Sequence, residues 1–326
     1  MLAVFLVTFP FFALIAAGYA AARSRLLPLE AIPGLNAFVL FFALPCMLYQ
    51  FGARTPIAQL LDASVALVWG AAALLVVAVT VRLTRRGRIG WNDAAFGALV
   101  AAFPNTGFMG VPLLAALLGA AATGPVIISI VFDMVVTSSL CIALSRLDAT
   151  GHAGGAAFWQ AARKALRGIV LNPMPWSILL GAAASAAQWR LPGPADRTVS
   201  MLADAASPAA LFTIGAVLAR GALLARAQGA SSRRGAVADV LPVVLVKLVA
   251  HPLLVAGLGA AARAAGLPLS QGALVTLVLV AALPSASNVS MLAERFGADN
   301  ARIARIILWT TVAAFFSFPL AVGWLR

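Results

Sequence analysis

The sequence predicts an all-α polytopic membrane protein, and three observations carry that reading. Of its 326 residues 63% are hydrophobic and only 10% are charged, against roughly 25% charged in soluble domains. Several apolar runs reach the roughly 20 residues that a helix needs to cross a hydrocarbon core of about 30 Å. The ~10-residue alternating segments of a membrane β-barrel, with polar inward positions, are absent. A mean hydropathy of +1.00 agrees.

Ten transmembrane spans can be placed. The first, residues 2–22, resembles a signal peptide in its apolar run and the small residues Ala20 to Ala22. It lacks a basic leading region and its first arginines follow the run, so it is expected to stay as a span. Span 2 (33–51) carries a proline in FFALPCMLYQF, and span 3 (62–82) runs from Asp62 to the basic turn TRRGR. Span 4 (93–118) is interrupted at Pro104, and span 5 (124–145) contains Asp133. Residues 146–168 form a basic cytoplasmic linker. Span 6 (169–189) follows, then span 7 (198–219) with a proline in ADAASPAALFTIG, and a second basic connection at 220–237. Span 8 (238–262) holds Lys247 and His251, span 9 (270–293) is interrupted at Pro284, and span 10 (302–325) ends the chain. Asp62, Asp93 and Asp239 stand at span starts, where a carboxylate caps a helix and complements its dipole. Cys46 and Cys141 lie inside apolar spans and are read as small packing residues, with no disulfide or metal site.

The net charge of +13 reports topology rather than nucleic acid, because the basic residues sit in short loops between spans. With the N-terminus outside, seventeen basic residues fall inside: Arg23, Arg25, Arg82, Arg85, Arg86, Arg88, Arg146, Arg163, Lys164, Arg167, Arg220, Arg226, Arg233, Arg234, Arg295, Arg302 and Arg305. Five fall outside: Arg54, Arg190, Arg197, Arg263 and Arg326. The positive-inside rule then places both termini outside.

An internal repeat follows from the prolines, which recur five spans apart: in spans 2 and 7, and in spans 4 and 9. Each break in spans 4 and 9 is followed by an asparagine (Asn105, Asn288) and then, after an apolar half-helix, by a glycine (Gly119, Gly297). Five being odd, the second unit enters from the opposite side. Residues 1–145 and 169–326 are therefore expected to be inverted five-helix repeats, and paired interrupted spans in such repeats point to a transporter's binding site.

The chemistry starts at the breaks. Proline removes a backbone donor and frees carbonyls that cannot be left unsatisfied in lipid. Half-helices beginning at two facing breaks would present free N–H groups and positive dipole ends, a place for an anion. The candidate substrate-binding set is Pro104, Asn105, Thr106, Pro284, Ser285, Ser287 and Asn288. Asparagine at a break can cap the new half-helix or offer its amide to a carboxylate. Lys247 and His251, four apart, share a helical face. With Asp133 they are candidates for charge balance or coupling, because ionisable groups at membrane depth are costly and usually functional. Lys247 could instead pair structurally with Asp133 or Asp204, or face an aqueous cavity; a packing role for His251 and an ion-pair role for Asp133 stay open.

No phosphate-cradling GxxxxGK[ST] or HExxH motif occurs, and His152 and His251 are the only histidines, so neither ATP-driven transport by this chain alone nor a histidine-rich metal centre is expected. An intramembrane enzyme would have to use Ser287 with His251, and no enzymatic activity is expected. A cation/proton antiporter would need an acid beside the crossover, and neither proline segment contains one.

PNTGFMGVPLL (104–114), LPSASNVSMLAERFG (283–297) and the ten-span inverted layout resemble the auxin efflux carrier family, which includes plant auxin exporters and bacterial permeases for malonate, malate and similar carboxylates. The resemblance covers essentially the whole chain. It implies crossed broken helices in spans 4 and 9 and a transport domain of spans 3–5 and 8–10. It also implies a scaffold of spans 1, 2, 6 and 7 that forms a homodimer, and elevator-type movement. By the family pattern Asn105 meets the substrate carboxylate and Pro284 marks the opposing crossover. The long cytoplasmic loop of long plant carriers is missing between spans 5 and 6, so a bacterial-type permease is the better match. The expected substrate is a small organic anion, a dicarboxylate such as malonate or, with Phe103 and Phe108 around a ring, an auxin-like monocarboxylate. No cofactor is expected beyond a coupling Na+ or H+.

Overall fold

The computed structural model describes residues 2–55, 61–85, 89–147, 173–227 and 233–325. Arg86, Arg88, His152, Arg163, Lys164, Arg167 and Arg326, and nearly all of the 146–168 linker, lie outside the described residues.

The regular elements among the described residues are all helices. In chain order they are α1 (Leu2–Arg23), α2 (Leu29–Arg54), α3 (Ala63–Thr84), α4 (Trp91–Ala102), α5 (Thr106–Leu118), α6 (Thr123–Leu144), α7 (Pro173–Ala186) and α8 (Gly193–Ala227). Next comes α9, which starts as Arg233–Leu245 and passes through a wider turn, Val246–Ala250, into His251–Ala264. The chain closes with α10 (Gln271–Ala282), α11 (Asn288–Arg295) and α12 (Asn300–Leu325). Seven of these, α1, α2, α3, α6, α8, α9 and α12, contain a stretch long and apolar enough to cross a membrane. The spans read at 93–118 and 270–293 are not among the seven because each is split in two, as α4–α5 and α10–α11. The span read at 169–189 is described only from residue 173.

Burial is distributed as a bilayer requires of a multi-pass membrane protein. Leu6, Phe41, Phe42, Leu179, Leu180 and Phe316 point outward, an arrangement lipid tolerates and water penalises. The interior belongs to α4 and α10. Every residue from Ala94 to Ala102 is buried, as is every residue from Leu277 to Ala282, the mark of helices apolar all round.

The peripheral helices pack through glycine. A Cβ at Gly18 of α1 would overlap the Phe212 carbonyl of α8, and one at Gly215 of α8 would overlap the Ile15 carbonyl of α1. Gly52 of α2 and Gly181 of α7 make the same reciprocal contact, each against the other's backbone. Small residues that let backbones touch are how helices associate where lipid removes the hydrophobic drive.

Not every proline breaks its helix. Pro208 lies inside a continuous α8, and Pro45 follows a wider turn, Val39–Ala43, without ending α2. Of the four recurring prolines, Pro104 and Pro284 interrupt their spans. The three carboxylates read as helix caps also divide. Asp62 caps α3, accepting from the amides of Ser64 and Val65 at 2.9 and 3.2 Å. Asp93 instead accepts from the Asp299 amide, 2.7 Å away at the start of α12. Asp239 lies within α9 and pairs with Arg302 at 2.8 Å. Arg302 is buried and also donates to the Asp93 carbonyl at 3.0 Å, tying the starts of α4 and α12 to α9. Asp93 stands in the first turn of α4, where its charge complements the dipole as expected, but neither it nor Asp239 closes a cap on its own helix, because their partners come from 206 and 63 residues away.

Candidate functional site: the helix crossing

The two breaks meet. Residues before proline are pushed out of helical conformation, and Phe103 (φ −97°, ψ 103°) and Leu283 (φ −63°, ψ 155°) are accordingly extended. The extended stretches lie side by side as one antiparallel bridge between Pro104 and Ser285. The Asn105 amide donates to the Pro284 carbonyl at 2.8 Å, and the Ala286 amide donates to the Phe103 carbonyl at 3.0 Å. Backbone that neither helix can satisfy is thus satisfied across the crossing, which answers the penalty for an open break in lipid. A third support is Thr310 of α12, whose hydroxyl accepts from the Ser285 amide at 3.3 Å.

Four helix ends converge there. α4 and α10 arrive with their C-termini, while α5 and α11 depart with their N-termini, whose first amides donate to local carbonyls, Thr106 to Pro104 at 2.8 Å, Val289 to Ala286 at 3.4 Å and Ser290 to Ser287 at 3.2 Å. Asn105 occupies the cap position of α5 without closing a side-chain cap. Its carbonyl instead accepts from both Met109 (3.1 Å) and Gly110 (3.0 Å), which widens the first turn. Both departing half-helices end in glycine turns of positive φ, at Gly119 (76°) and Gly297 (70°).

The structure distributes the candidate side chains unevenly. Asn105, Pro104 and Asn288 line one small cavity together with Phe103, Gly107, Phe108, Met134, Leu44 and Leu48. Ser287 lines a second cavity with Ser290, Phe108, Asn36, Val39 and Thr213. These cavities measure about 20 and 10 Å³, near the minimum volume for a single water, so the crossing is closed in this conformation and Phe108 borders both. Thr106 is fully buried and turns its hydroxyl back toward the Pro104 carbonyl at 3.4 Å. Ser285 is buried with its Oγ unpaired.

Lys247, His251 and Asp133 form a separate buried cluster behind the crossing, each with no exposed surface. Lys247 Nζ donates to the Ala281 carbonyl at 2.7 Å and lies 3.5 Å from His251 Nδ1. The Ala101 carbonyl lies against the His251 ring, although Nε2 closes no hydrogen bond. Ala281 and Ala101 stand in the last turns of α10 and α4, so one face of α9 sets an amine and an imidazole against the negative ends of both arriving half-helices. Asp133 Oδ1 accepts from Thr137 at 2.9 Å, and Oδ2 is unpaired. Trp69 sits between the groups, beside Asp133 and 5.3 Å from the His251 ring centroid. The only carboxylate pair within 4.0 Å of a basic group among the described residues is Arg302–Asp239. Lys247 and Asp133 therefore interact without direct contact, and Asp204 is exposed.

Sequence reasoning did not find Trp69, Thr137, Thr310, Asn36 or Thr213. Thr310 and Thr311 form a polar pair in the otherwise apolar ILWTTVAAFF, a signal of the kind that singled out Asn105. Trp69 and Asn36 carry none, since their roles come from elements distant in sequence.

Residues 3–322 match the family model described as Membrane transport protein. A relative from Rhizobium meliloti (strain 1021), named "Putative malonate transporter", is 30% identical over 315 residues, 93% of this chain and 90% of its own length. An "Uncharacterized transporter" from Methanothermobacter thermautotrophicus is 28% identical over 223 residues, 68% of this chain and 65% of its own.

Proposed function

Because the chain belongs to the auxin efflux carrier family of membrane transport proteins, we propose that it is a secondary active or facilitated carrier of small organic anions, with a dicarboxylate such as malonate as substrate. The family and these relatives are transporters, not enzymes. The observation that carries the reading is the Pro104–Ser285 bridge, from which α5 and α11 both depart N-terminus first, beside Asn105 and Asn288. Two positive helix ends and two amides at one point suit a carboxylate. The relative named for malonate supports the choice of substrate.

The ten spans form two inverted repeats, 1–145 and 169–326, in this reading. Its supports are the matched breaks, the matched glycine turns and the reciprocal contacts of α1 with α8 and α2 with α7, which an inverted pairing of spans 1 with 6 and 2 with 7 would interchange. Spans 1, 2, 6 and 7 act as scaffold and homodimer contact, and spans 3–5 and 8–10 carry the substrate. Both small cavities lie on the seam between these sets, walled by α2 on one side and the crossing on the other. Sliding along that seam would open one cavity and close the other, an elevator-type alternating access. The arginine distribution favours both termini outside, and the Rhizobium meliloti relative favours a bacterial inner membrane, which would make them periplasmic.

Pro104, Asn105, Thr106, Pro284, Ser285, Ser287 and Asn288 make the cradle, with Thr106 and Pro104 shaping it through backbone. Lys247 and His251 supply positive charge or polarity behind it, and Asp133 is the group able to carry a coupling H+ or Na+. A second reading, an auxin-like aromatic monocarboxylate, is favoured by Phe103 and Phe108 in the wall beside Asn105. An antiporter of cations and protons is favoured by the unpaired Asp133 Oδ2.

Proteoliposomes containing the purified chain test these readings by uptake of labelled malonate against unlabelled competitors, with and without Na+ and pH gradients. Malonate and similar dicarboxylates should compete, and indole acetate should compete poorly. Strong competition by the aromatic acid alone would favour the second reading, and cation exchange without anion uptake would favour the antiporter.

A further inference from the structure

A groove of about 600 Å³ runs between α3 and α6 on the membrane face of the molecule, away from the crossing. Leu74, Val77, Ala78 and Val81 of α3 and Leu140 and Leu144 of α6 make its walls, and Arg82, Arg85 and Trp91 close one end. We propose that this groove binds an anionic phospholipid, with an acyl chain between α3 and α6 and the headgroup phosphate held by Arg82 and Arg85.

The walls are apolar throughout the length that lies in the bilayer, and the volume is within the roughly 300–1,000 Å³ of sites that enclose small ligands. Charge appears only at the end, in the last turn of α3, where the helix reaches the interface. Both arginines are exposed, and neither lies within 4.0 Å of a carboxylate among the described residues. The negative C-terminal end of α3 does not consume two charges. Arg85 stacks its guanidinium 4.1 Å over the Trp91 ring. That contact fixes the plane of the fork and leaves its N–H edge for a phosphate, which guanidinium binds bidentately. An indole at the interface is itself a headgroup-level anchor. Basic pockets between membrane helices select acidic headgroups in this way. A zwitterionic lipid offers the same phosphate, but its own ammonium opposes the two arginines, so the net-anionic headgroup is the one they favour.

Native mass spectrometry of the full chain released from liposomes of equal phosphatidylglycerol and phosphatidylcholine tests the site. The wild type should retain the anionic lipid in about thirtyfold preference, the enrichment that roughly 1 kcal/mol for each of two arginines at a membrane surface gives. An Arg82→Gln/Arg85→Gln variant should fall to parity, and Arg82→Lys/Arg85→Lys, which keeps the charge but loses the stacked, bidentate fork, should keep only part of the preference. Ala78→Trp fills the apolar part and should lower retention of both lipids while the arginines stay. Unfolding of the glutamine variant alone would be exposed by its melting curve, and the lysine and tryptophan variants then decide. Unchanged preference in the glutamine variant, or unchanged retention in Ala78→Trp, overturns the proposal. So would disulfide-linked dimers of an Ala78→Cys variant in membranes, which would give the groove to a second copy.

Discussion

At Gly18 and Gly215 the backbones of α1 and α8 touch with no side chain between them, whereas at Pro104 and Pro284 two helices stop and leave their polar backbone in the middle of a membrane. The first contact is backbone against backbone, held by close packing. The second is polar and is satisfied piece by piece: by the bridge, by Thr310, and by Lys247 on Ala281. The difference teaches where function can reside. A contact made of backbone against backbone has no room for a ligand and no group to offer one. A crossing held by hydrogen bonds keeps helix ends, amides and small cavities that a substrate can exchange into.

The comparison breaks first at the glycines. Gly215→Leu should abolish folding or lower stability by the upper end of the ~1–3 kcal/mol that overpacking usually costs, because the atom it meets is a backbone carbonyl. Yield and melting temperature in detergent would show it, and a variant that melts like the wild type would mean the α1–α8 contact is not close. The next largest effect belongs to Lys247→Met, which leaves the Ala281 carbonyl unpaired at a cost of about 1–3 kcal/mol. Uptake of dicarboxylates should fall more than uptake of monocarboxylates; equal losses would assign Lys247 to structure alone. Smallest is Asp62→Ala, which removes a helix cap for about 1 kcal/mol and should shift the melt slightly with no change in transport. A transport defect there would place function at the edge of the molecule and blur the contrast.

Much of this was legible in the sequence, for identifiable reasons. Apolar length marks spans, and a proline followed by an asparagine and a later glycine marks a broken one, because these residues act on their own backbone. That is why the breaks at Pro104 and Pro284, the turns at Gly119 and Gly297 and the cap at Asp62 were readable. Asp93, Asp239 and Trp69 were misread or missed because their partners arrive from other spans. Asn105 sits where the sequence put it, at the break, but the expected side-chain cap is not made, since its carbonyl takes two amides of a widened turn. The positions of Lys247 and His251 on one face followed from their spacing. That this face meets the ends of α4 and α10 did not, because it depends on how α9 packs.

The central claim is that the crossing binds the anion. Equilibrium binding of labelled malonate to the purified chain, wild type against Asn105→Ala, tests it most directly when each protein's melting temperature is recorded alongside. Saturable binding by the wild type, lost in Asn105→Ala with the melting temperature unchanged, is the expected result. Equal affinity in the two proteins would contradict it.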